Sequence, residues 1–338
     1  MKIDRKRLAA ALKRFKSVSV AVVGDLLADV YVYARPVGLS REAPVMVMRE
    51  ESRKILPGGA ANAANNVLEL SGSALCIGVV GGDSAGRHLR AHLARRGADV
   101  SGVVSAARAS TCTKTRVLAG DLHTVKQQVF RIDNQPRSRM RKAVETRVLT
   151  AIDRAAASAD AWLVSDYDGD LLSERVIDRL NSLSADGRIV VVDSHSRLSR
   201  FSGISCATPN EAEASLESGI DITDSASALD AARRIREDLD AAYVFVTRGN
   251  RGMTLAGPRG WSAGLPIVGP AEIVDVAGAG DTVSAVAALA LAAGEDPLTA
   301  GLLASYAASV VCMKTGVATA SPSEILRAIE EYPLPKGI

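Results

Sequence analysis

The chain has 338 residues, of which 47% are hydrophobic and 23% charged, and this globular composition excludes a disordered or fibrous protein. At about 150 residues per domain, the length allows two domains or one large α/β unit with an insertion. The net charge is only +3 and aromatic residues make up 4%, which is too little charge and too few rings to indicate nucleic-acid binding. We therefore expect a small-molecule partner and no nucleic acid.

Cysteine usage and hydropathy indicate where the protein works. The four cysteines at positions 76, 112, 206 and 312 are far apart and form no C-x-x-C pair, which predicts reduced, mostly buried thiols and not a disulfide framework. The most apolar segment, 285–293, is about half the roughly 20 residues that cross a bilayer. The basic N-terminal segment lacks the apolar region and cleavage pattern of a secretion signal. We expect a cytoplasmic protein that does not bind membranes.

In chain order, short β-branched segments alternate with segments of helical period. An amphipathic helix precedes the first strand, and the predicted strands are 18–25, 75–82, 161–166, 188–193 and 243–249. Helices are predicted at 83–97, 139–158, 280–294, 296–313 and 322–331. Nearly continuous apolar strands alternating with helices are typical of a parallel sheet covered on both faces. The fold class is therefore α/β, a three-layer, doubly wound, mostly parallel sheet.

Two segments interrupt this alternation. Residues 29–57 contain short alternating β patterns without a helix, and residues 111–133 are predicted to form a hairpin that turns near 120–123. Because both follow strands of the main sheet, we expect them to form one small discontinuous β lid on a single domain that spans 1–338. The apolar runs VYVY and VMVM exceed what one lid needs to cover itself, which predicts a homodimer through the lid.

The segment DVAGAGDTV carries the strongest chemical signal. Gly278, Ala279 and Gly280 form a small-residue turn that runs into a helix, where unpaired N–H groups and the helix dipole favour an anion. Asp281 lies in the first helical turn. A carboxylate there would repel a passively bound phosphate, but it is useful if it removes a proton from a hydroxyl during phosphoryl transfer. The residues alone leave a second interpretation open, in which Asp281 only stabilises the helix N-terminus.

A second group of polar residues suits a polyol. Asp25 and Asp29 follow the first strand, at the edge of the sheet where open α/β proteins bind ligands. Gly58 and Gly59 precede another helix, whose early Asn62 can contact hydroxyl groups with its amide. We predict that these residues bind the acceptor, although each could also be an ordinary cap or turn residue.

Two further segments suggest a nucleotide site. Asn210 and Glu213 lie one helical turn apart, so their oxygens can share one face and hold magnesium-bound water near phosphates. The segment around VTRGNRG forms a strand followed by a glycine turn at which a nucleotide can lie. Its candidate nucleotide-binding residues are Thr247, Arg248, Gly249 and Gly252.

Taken in order, VVGDLLAD, PGGAANAANN, TPNEAE, TRGNRG and DVAGAGDTV resemble the ribokinase-like (PfkB) carbohydrate kinases. EAPVMVM, TKTRV, QQVFRID and SDY are similar to the heptose-phosphate kinase group within that family. The resemblance implies transfer of a phosphoryl group from ATP, with Mg²⁺, to a sugar hydroxyl, with Asp281 as the base and 278–281 as the anion hole. It also implies that Asn210 and Glu213 are the magnesium motif, that the lid forms a dimer clasp, and that Asp275 and Gly316 belong to a monovalent-cation (K⁺) loop.

The chain also departs from the heptose-phosphate kinases. SDYDGD and DSHSR stand where that group carries lysines. Lys114, Arg116 and Arg131, in the two strands of the predicted hairpin, can replace the missing charge. We predict that they bind a phosphate already present on the acceptor. The alternative is a solvated edge strand with protective charges.

We favour a sugar or sugar-phosphate kinase, including a heptose 7-phosphate kinase. A non-catalytic sugar or nucleotide sensor on the same fold and a nucleoside kinase are the alternatives. A dinucleotide oxidoreductase is disfavoured because GDLLAD, and not G-x-G-x-x-G, follows the first strand.

Overall fold

The computed structural model describes residues 3–107, 109–120, 126–135, 140–270 and 273–334. Its helices are α1 (Arg5–Arg14), α2 (Ala60–Glu69), α3 (Ser84–Arg95), α4 (Lys142–Ala155), α5 (Glu174–Ala185), α6 (Glu211–Ser218), α7 (Ser225–Asp238), α8 (Ala279–Ala292), α9 (Pro297–Cys312) and α10 (Pro322–Glu331). Its strands are β1 (Ser19–Gly24), β2 (Leu26–Leu39), β3 (Met46–Gly59), β4 (Ser73–Gly81), β5 (Asp99–Ala106), β6 (Thr113–Ala119), β7 (Gln127–Asn134), β8 (Ala161–Asp166), β9 (Ile189–Ser194), β10 (Cys206–Ala207), β11 (Tyr243–Thr247), β12 (Met253–Ala256) and β13 (Ser262–Leu265).

The main sheet has nine described strands in the order β13-β12-β11-β10-β9-β8-β1-β4-β5. Neighbours pair in parallel from β11 to β5, and β12 and β13 pair antiparallel at one edge. The central strands are buried almost throughout because helices cover both faces, and two separate groups of buried apolar side chains fill the space on either side. The predicted fold class is confirmed.

Four strands were not expected from the sequence: β5, β10, β12 and β13. Strand β10 has only two residues, too few to show a pattern, and serines and a glycine interrupt the apolar residues of β5. The antiparallel β12–β13 pair follows a glycine turn, in a segment where the sequence analysis considered only nucleotide binding. No helix within the described ranges is long and apolar enough to cross a bilayer.

The two segments that interrupt the α/β alternation meet in a second sheet, here called the lid sheet, with strand order β3-β2-β6-β7. Strands β2 and β6 pair in parallel, and the two outer pairs are antiparallel. Instead of several short pieces, residues 29–57 contribute most of two 14-residue strands with bulges near Tyr33 and Gly38. The predicted turn near 120–123 falls mostly on residues outside the described ranges.

The lid sheet grows directly from the main sheet, and this connection places the polar residues of both. Strand β2 begins two residues after β1 ends, and β3 leads through Gly59 into α2. Gly59 has φ +56, and a Cβ there would lie 2.6 Å from the Asp25 carbonyl oxygen, so this turn requires glycine. The lid sheet, the N-terminus of α2 and the carboxyl ends of the parallel strands therefore meet at one edge.

Candidate active site

Asp281 lies at this meeting point, in the first turn of α8, and is only 2% exposed. Its Oδ2 accepts a hydrogen bond from Asn62 Nδ2 at 2.7 Å, and its Oδ1 accepts one from the Tyr167 hydroxyl at 3.0 Å. The donors come from α2 and from the loop after β8, so three separate segments fix the carboxylate. A buried acid held in one orientation is suited to removing a proton from a bound hydroxyl.

The surroundings of Asp281 bring the pKa of its carboxyl group close to neutral pH. Burial raises the pKa of the carboxyl to about 7, while the hydrogen bonds from Asn62 and Tyr167 lower it. The charge of Asp29 raises the pKa further, and that of Lys114 lowers it. A general base is most effective with a pKa near the working pH, which this combination provides.

The turn before α8 leaves backbone donors free beside Asp281. Gly278 has φ +80, and a Cβ there would lie 2.7 Å from Asn62 Nδ2. Among the described residues, the N–H groups of Gly280 and Asp281 donate to no other group, whereas that of Ala279 donates to the Val276 carbonyl at 3.2 Å. The predicted anion hole therefore has its free donors at Gly280 and Asp281, and the Ala279 amide is occupied.

Two of the three asparagines of α2, Asn62 and Asn66, form hydrogen bonds with α8. Asn62 is fully buried, and its amide donates to Asp281. Asn66 donates to the Asn62 carbonyl at 3.0 Å and accepts from the Thr282 hydroxyl at 2.9 Å. Within the described residues, Asn62 thus bonds to Asp281, and its predicted contact with the acceptor stays a prediction.

Asp25 and Asp29, the carboxylates predicted to bind the acceptor, are both buried. Asp25 Oδ2 accepts the N–H groups of Tyr167 at 2.9 Å and Gly169 at 3.0 Å, and burial raises its pKa to about 6. Asp29 is 5% exposed and forms an ion pair with Arg116. A Cβ at Gly58 would lie 2.1 Å from Asp29 Oδ2, so a side chain at this position would displace the carboxylate.

The three basic residues predicted to bind an acceptor phosphate differ in whether a carboxylate already neutralises them. Arg116 is paired with Asp29, and Arg131, which lies opposite Arg116 in the register, is half exposed and pairs with Asp133. Lys114 makes no hydrogen bond or ion pair in the described part of the chain, and its Nζ lies 4.5 Å from the centre of the Tyr167 ring. Partial burial lowers the pKa of Lys114. Lys114 is therefore the cation of the three that can most readily take a new anionic partner.

The turn at 278–281 is here called the anion turn. An apolar cavity of about 170 Å³ lies on its other side. Thr247, Gly249 and Gly252 line it together with Ala279 and Gly280, so three predicted nucleotide residues and the anion turn face one space. The rest of its lining is mainly apolar: Met253, Ile267, Val268, Pro270, Ile273, Val276, Val283, Ala308, Cys312 and Met313. A flat apolar base with its phosphates at the α8 N-terminus would fit this arrangement.

Arg248 does not join these residues. Its side chain is buried and donates to Glu211 at 3.0 Å and to the Ser225 hydroxyl at 2.9 Å. These contacts tie the glycine turn to α6 and α7. The described contacts of Arg248 are structural, and its predicted contact with a nucleotide is unsupported by this geometry.

Asn210 and Glu213 cap their own helix. Asn210 Oδ1 accepts the Glu213 N–H at 3.0 Å, and Glu213 Oε2 accepts the Asn210 N–H at 2.8 Å, which forms a capping box. Glu213 Oε1 faces His195 Nε2 at 3.7 Å. Asp193 lies on the same side, where burial and the charges of Asp281 and Glu213 raise its pKa well above the usual range. Asp193 is a carboxylate of the site whose role the sequence analysis did not identify.

Asp275 accepts hydrogen bonds from the backbone of two loops next to the anion turn. Its Oδ1 accepts the Ala277 N–H at 2.9 Å, and its Oδ2 accepts the Gly316 N–H at 2.8 Å. Gly316 has φ +75, which favours glycine. Asp275 and Gly316 are thus brought together as predicted, but the carboxylate already bonds to backbone, and the K⁺ site stays a prediction.

Comparison with known proteins identifies the class that this fold and site define. Residues 18–324 match the family model described as "pfkB family carbohydrate kinase". The chain belongs to this family, and the predicted enzyme class, a phosphotransferase with an alcohol acceptor, is confirmed.

Individual relatives agree with this assignment. The chain is 35% identical over 329 residues to the bifunctional protein HldE of Pelobacter propionicus, covering 97% of this chain and 66% of that one. It is 38% identical over 319 residues to the HldE of Gluconacetobacter diazotrophicus, covering 92% and 64%. The chain thus spans just under two thirds of the length of these relatives.

Two solved structures show the same fold. Arabidopsis thaliana ribokinase complexed with ribose and ATP matches with a TM-score of 0.73 and 20% identity, covering 93% of this chain and 98% of that one. Escherichia coli phosphofructokinase-2 in complex with fructose-6-phosphate matches with a TM-score of 0.76 and 18% identity, with the same coverage.

Proposed function

We propose that this protein transfers the γ-phosphoryl group of ATP to a hydroxyl of a sugar or sugar phosphate. The observation that carries the proposal is the position of Asp281. It lies beside the free N–H groups of the α8 N-terminus, with an apolar cavity on one side and the buried carboxylates Asp25 and Asp29 on the other. In this proposal, Asp281 takes the proton of the acceptor hydroxyl while the N–H groups of Gly280 and Asp281 hold the transferring phosphoryl group.

We propose that Mg²⁺ accompanies the nucleotide. The charges of Asp281 and Glu213 raise the pKa of Asp193, and a divalent cation would relieve that repulsion. Carboxylate oxygens are ligands of the kind Mg²⁺ takes. Because Asn210 and Glu213 already bond to each other, Glu213 Oε1 and Asp193 are the oxygens that best fit water molecules of a phosphate-bound Mg²⁺. K⁺ near Asp275 and Gly316 remains part of the proposal on family resemblance.

The acceptor that we propose is a heptose 7-phosphate. The similarity to HldE proteins supports this choice, and Lys114 is a cation on the acceptor side with no ion pair among the described residues. A cavity of about 680 Å³ borders Asp25 and is also lined by Arg141, but not by Lys114, Arg116 or Arg131. A phosphate on the acceptor would pair with Lys114 and compete with Asp29 for Arg116, while the exposed Arg131 contributes less.

We further propose that the protein is a homodimer formed through the lid sheet and located in the cytoplasm. Of the runs that suggested this, VYVY is largely buried within its own chain, whereas Val45, Met46 and Val47 are exposed. Phe130 and Ile132 on β7 are also about half exposed and share one face. A second copy would cover this apolar surface. The free cysteines suit a reducing compartment.

The proposed function is tested by measuring ADP formation with heptose 7-phosphate, fructose 6-phosphate, ribose, adenosine and simple hexoses. Turnover with heptose 7-phosphate at a kcat/KM well above the others supports the proposal. Preference for adenosine would indicate a nucleoside kinase instead. Saturable binding of ATP and sugar without any turnover would indicate a sensor.

A further inference from the structure

Among the described residues, Tyr167 is the one that donates hydrogen bonds to both Asp25, the carboxylate proposed to bind the acceptor, and Asp281, the proposed base. Its hydroxyl donates to Asp281 Oδ1 at 3.0 Å, and its backbone N–H donates to Asp25 Oδ2 at 2.9 Å. Asp25 also accepts the Gly169 N–H, so the start of this loop is anchored on the carboxylate at two points. Asp25 and Asp281 are therefore connected through hydrogen bonds to a single residue.

The surroundings of Tyr167 keep its hydroxyl a donor. Burial and the charge of Asp281 raise the pKa of Tyr167 well above its usual range, so the phenol stays protonated over the range in which enzymes work. Lys114 Nζ lies 4.5 Å from the centre of its ring, and the His195 ring centre lies 4.4 Å away. The side chain is therefore packed on its faces as well as bonded at its tip.

The two hydrogen-bond donors to Asp281 bind different oxygens of its carboxylate. Asn62 occupies Oδ2 and Tyr167 occupies Oδ1. Each carboxylate oxygen has more than one acceptor position, so one bond at each leaves room for the proton of a bound hydroxyl. Without the phenol, the bond from Asn62 would be the one side-chain hydrogen bond to the carboxylate from the described residues.

We propose that Tyr167 is a positioning residue for phosphoryl transfer, which orients Asp281 toward an acceptor held at Asp25. The inference rests on the proposed function, and it names the residue that connects acceptor binding with proton removal. Tyr167 does not touch the reacting atoms in this proposal. It acts through Asp281.

The test compares wild type with Tyr167→Phe, which removes one oxygen and retains the packed ring. The control is Tyr243→Phe, because Tyr243 packs against Trp261 far along the main sheet and contacts neither Asp25 nor Asp281. Thermal melting first establishes that both variants are folded. The kinetic prediction is a kcat lowered roughly 10- to 100-fold, the effect of losing a hydrogen bond to a charged group, with the acceptor KM within about threefold because the backbone N–H to Asp25 remains.

A second readout does not depend on the substrate. In protein labelled with ¹³C at aspartate carboxyls, the Asp281 signal is assigned by its loss in Asp281→Asn, and its pKa is measured by titration. The charged groups that face Asp281 are Asp29, Lys114 and Asp193, and none changes in Tyr167→Phe. Loss of a donor to the ionised form should raise the pKa of Asp281 by about one unit, and the acidic limb of kcat should move with it.

The outcomes separate the two proposals. A raised pKa of Asp281 in Tyr167→Phe, with lower kcat and nearly unchanged KM, supports the positioning role. An unchanged pKa and kcat in a folded Tyr167→Phe overturns it, even if wild type is an active kinase. If wild type phosphorylates none of the acceptors, the proposed function fails, and the titration still decides whether Tyr167 holds Asp281.

Discussion

Replacing the glycines of the anion turn should separate folding from catalysis. At Gly280, a Cβ would meet only Asp193 Oδ2 at 3.9 Å, whereas at Gly278 it would lie 2.7 Å from Asn62 Nδ2 and 3.2 Å from Val317. Gly280 is helical, but Gly278 has φ +80. The two positions are two residues apart, and they place very different demands on a side chain.

The magnitudes follow from these positions. Gly280→Ala should leave the free energy of unfolding unchanged or raise it by up to ~1 kcal/mol, because alanine favours helices. Its methyl group would project into the open space that Gly280 borders beside the apolar cavity. If the transferring phosphoryl group lies there, kcat should fall roughly 10²-fold, as for loss of one donor of an anion hole. Gly278→Ala should lose about 1–3 kcal/mol of stability because its backbone conformation disfavours a side chain.

The assay pairs a coupled ADP measurement at saturating ATP and acceptor with chemical unfolding of each variant. Gly280→Ala should be as stable as wild type and nearly inactive, and Gly278→Ala should be measurably less stable. A Gly280→Ala variant with wild-type kcat and wild-type KM for ATP would place the phosphoryl group elsewhere and refute the assignment of the anion hole.

Three further predictions follow from the contacts of single side chains. Arg248→Met breaks the bonds to Glu211 and Ser225, so it should lower the free energy of unfolding by about 1–3 kcal/mol but leave the KM for ATP within twofold. A large rise in the KM for ATP without loss of stability would indicate that Arg248 contacts the nucleotide. Lys114→Met removes a positive charge that lowers the pKa of Asp281, so the acidic limb of kcat/KM, expected near pH 7, should move to higher pH. The KM should rise at least tenfold for a phosphorylated acceptor but not for the free sugar. An unmoved acidic limb and equal KM changes for the two acceptors would contradict this prediction. Light scattering should give a dimer at micromolar concentration and a monomer for the double variant Phe130→Lys, Ile132→Lys, and a monomeric wild type would exclude the proposed interface.

Much of the fold was predictable because local patterns determined it. The buried strands were apolar over nearly their whole length, and the helices predicted at 296–313 and 322–331 begin at Pro297 and Pro322, a residue type that favours the first position of a helix. Strand β10 could not be predicted, since two residues carry no periodicity. The length of the lid strands was also missed, because bulges interrupt their alternation.

The candidate site was predictable where a motif specifies backbone geometry and was not where contacts depend on tertiary structure. The small-residue turn before α8 could be located because glycine and a helix start are local features. The N-x-x-E pattern at Asn210 fits both a metal motif and a capping box, and only the structure shows that the capping bonds form. Tyr167 bonds to Asp281, which is 114 residues away in the chain, and nothing in its local sequence indicates that bond.

The most direct test of the central claim is the turnover of Asp281→Asn. The variant keeps the size of the side chain but lacks the base, so kcat should fall roughly 10²- to 10⁴-fold while the dissociation constant of ATP stays within a few-fold. Calorimetric titration of ATP and single-turnover phosphoryl transfer measure the two quantities on the same preparation. Loss of transfer with retained ATP binding is the predicted result, and an Asp281→Asn protein that phosphorylates its acceptor at close to the wild-type rate would contradict the account.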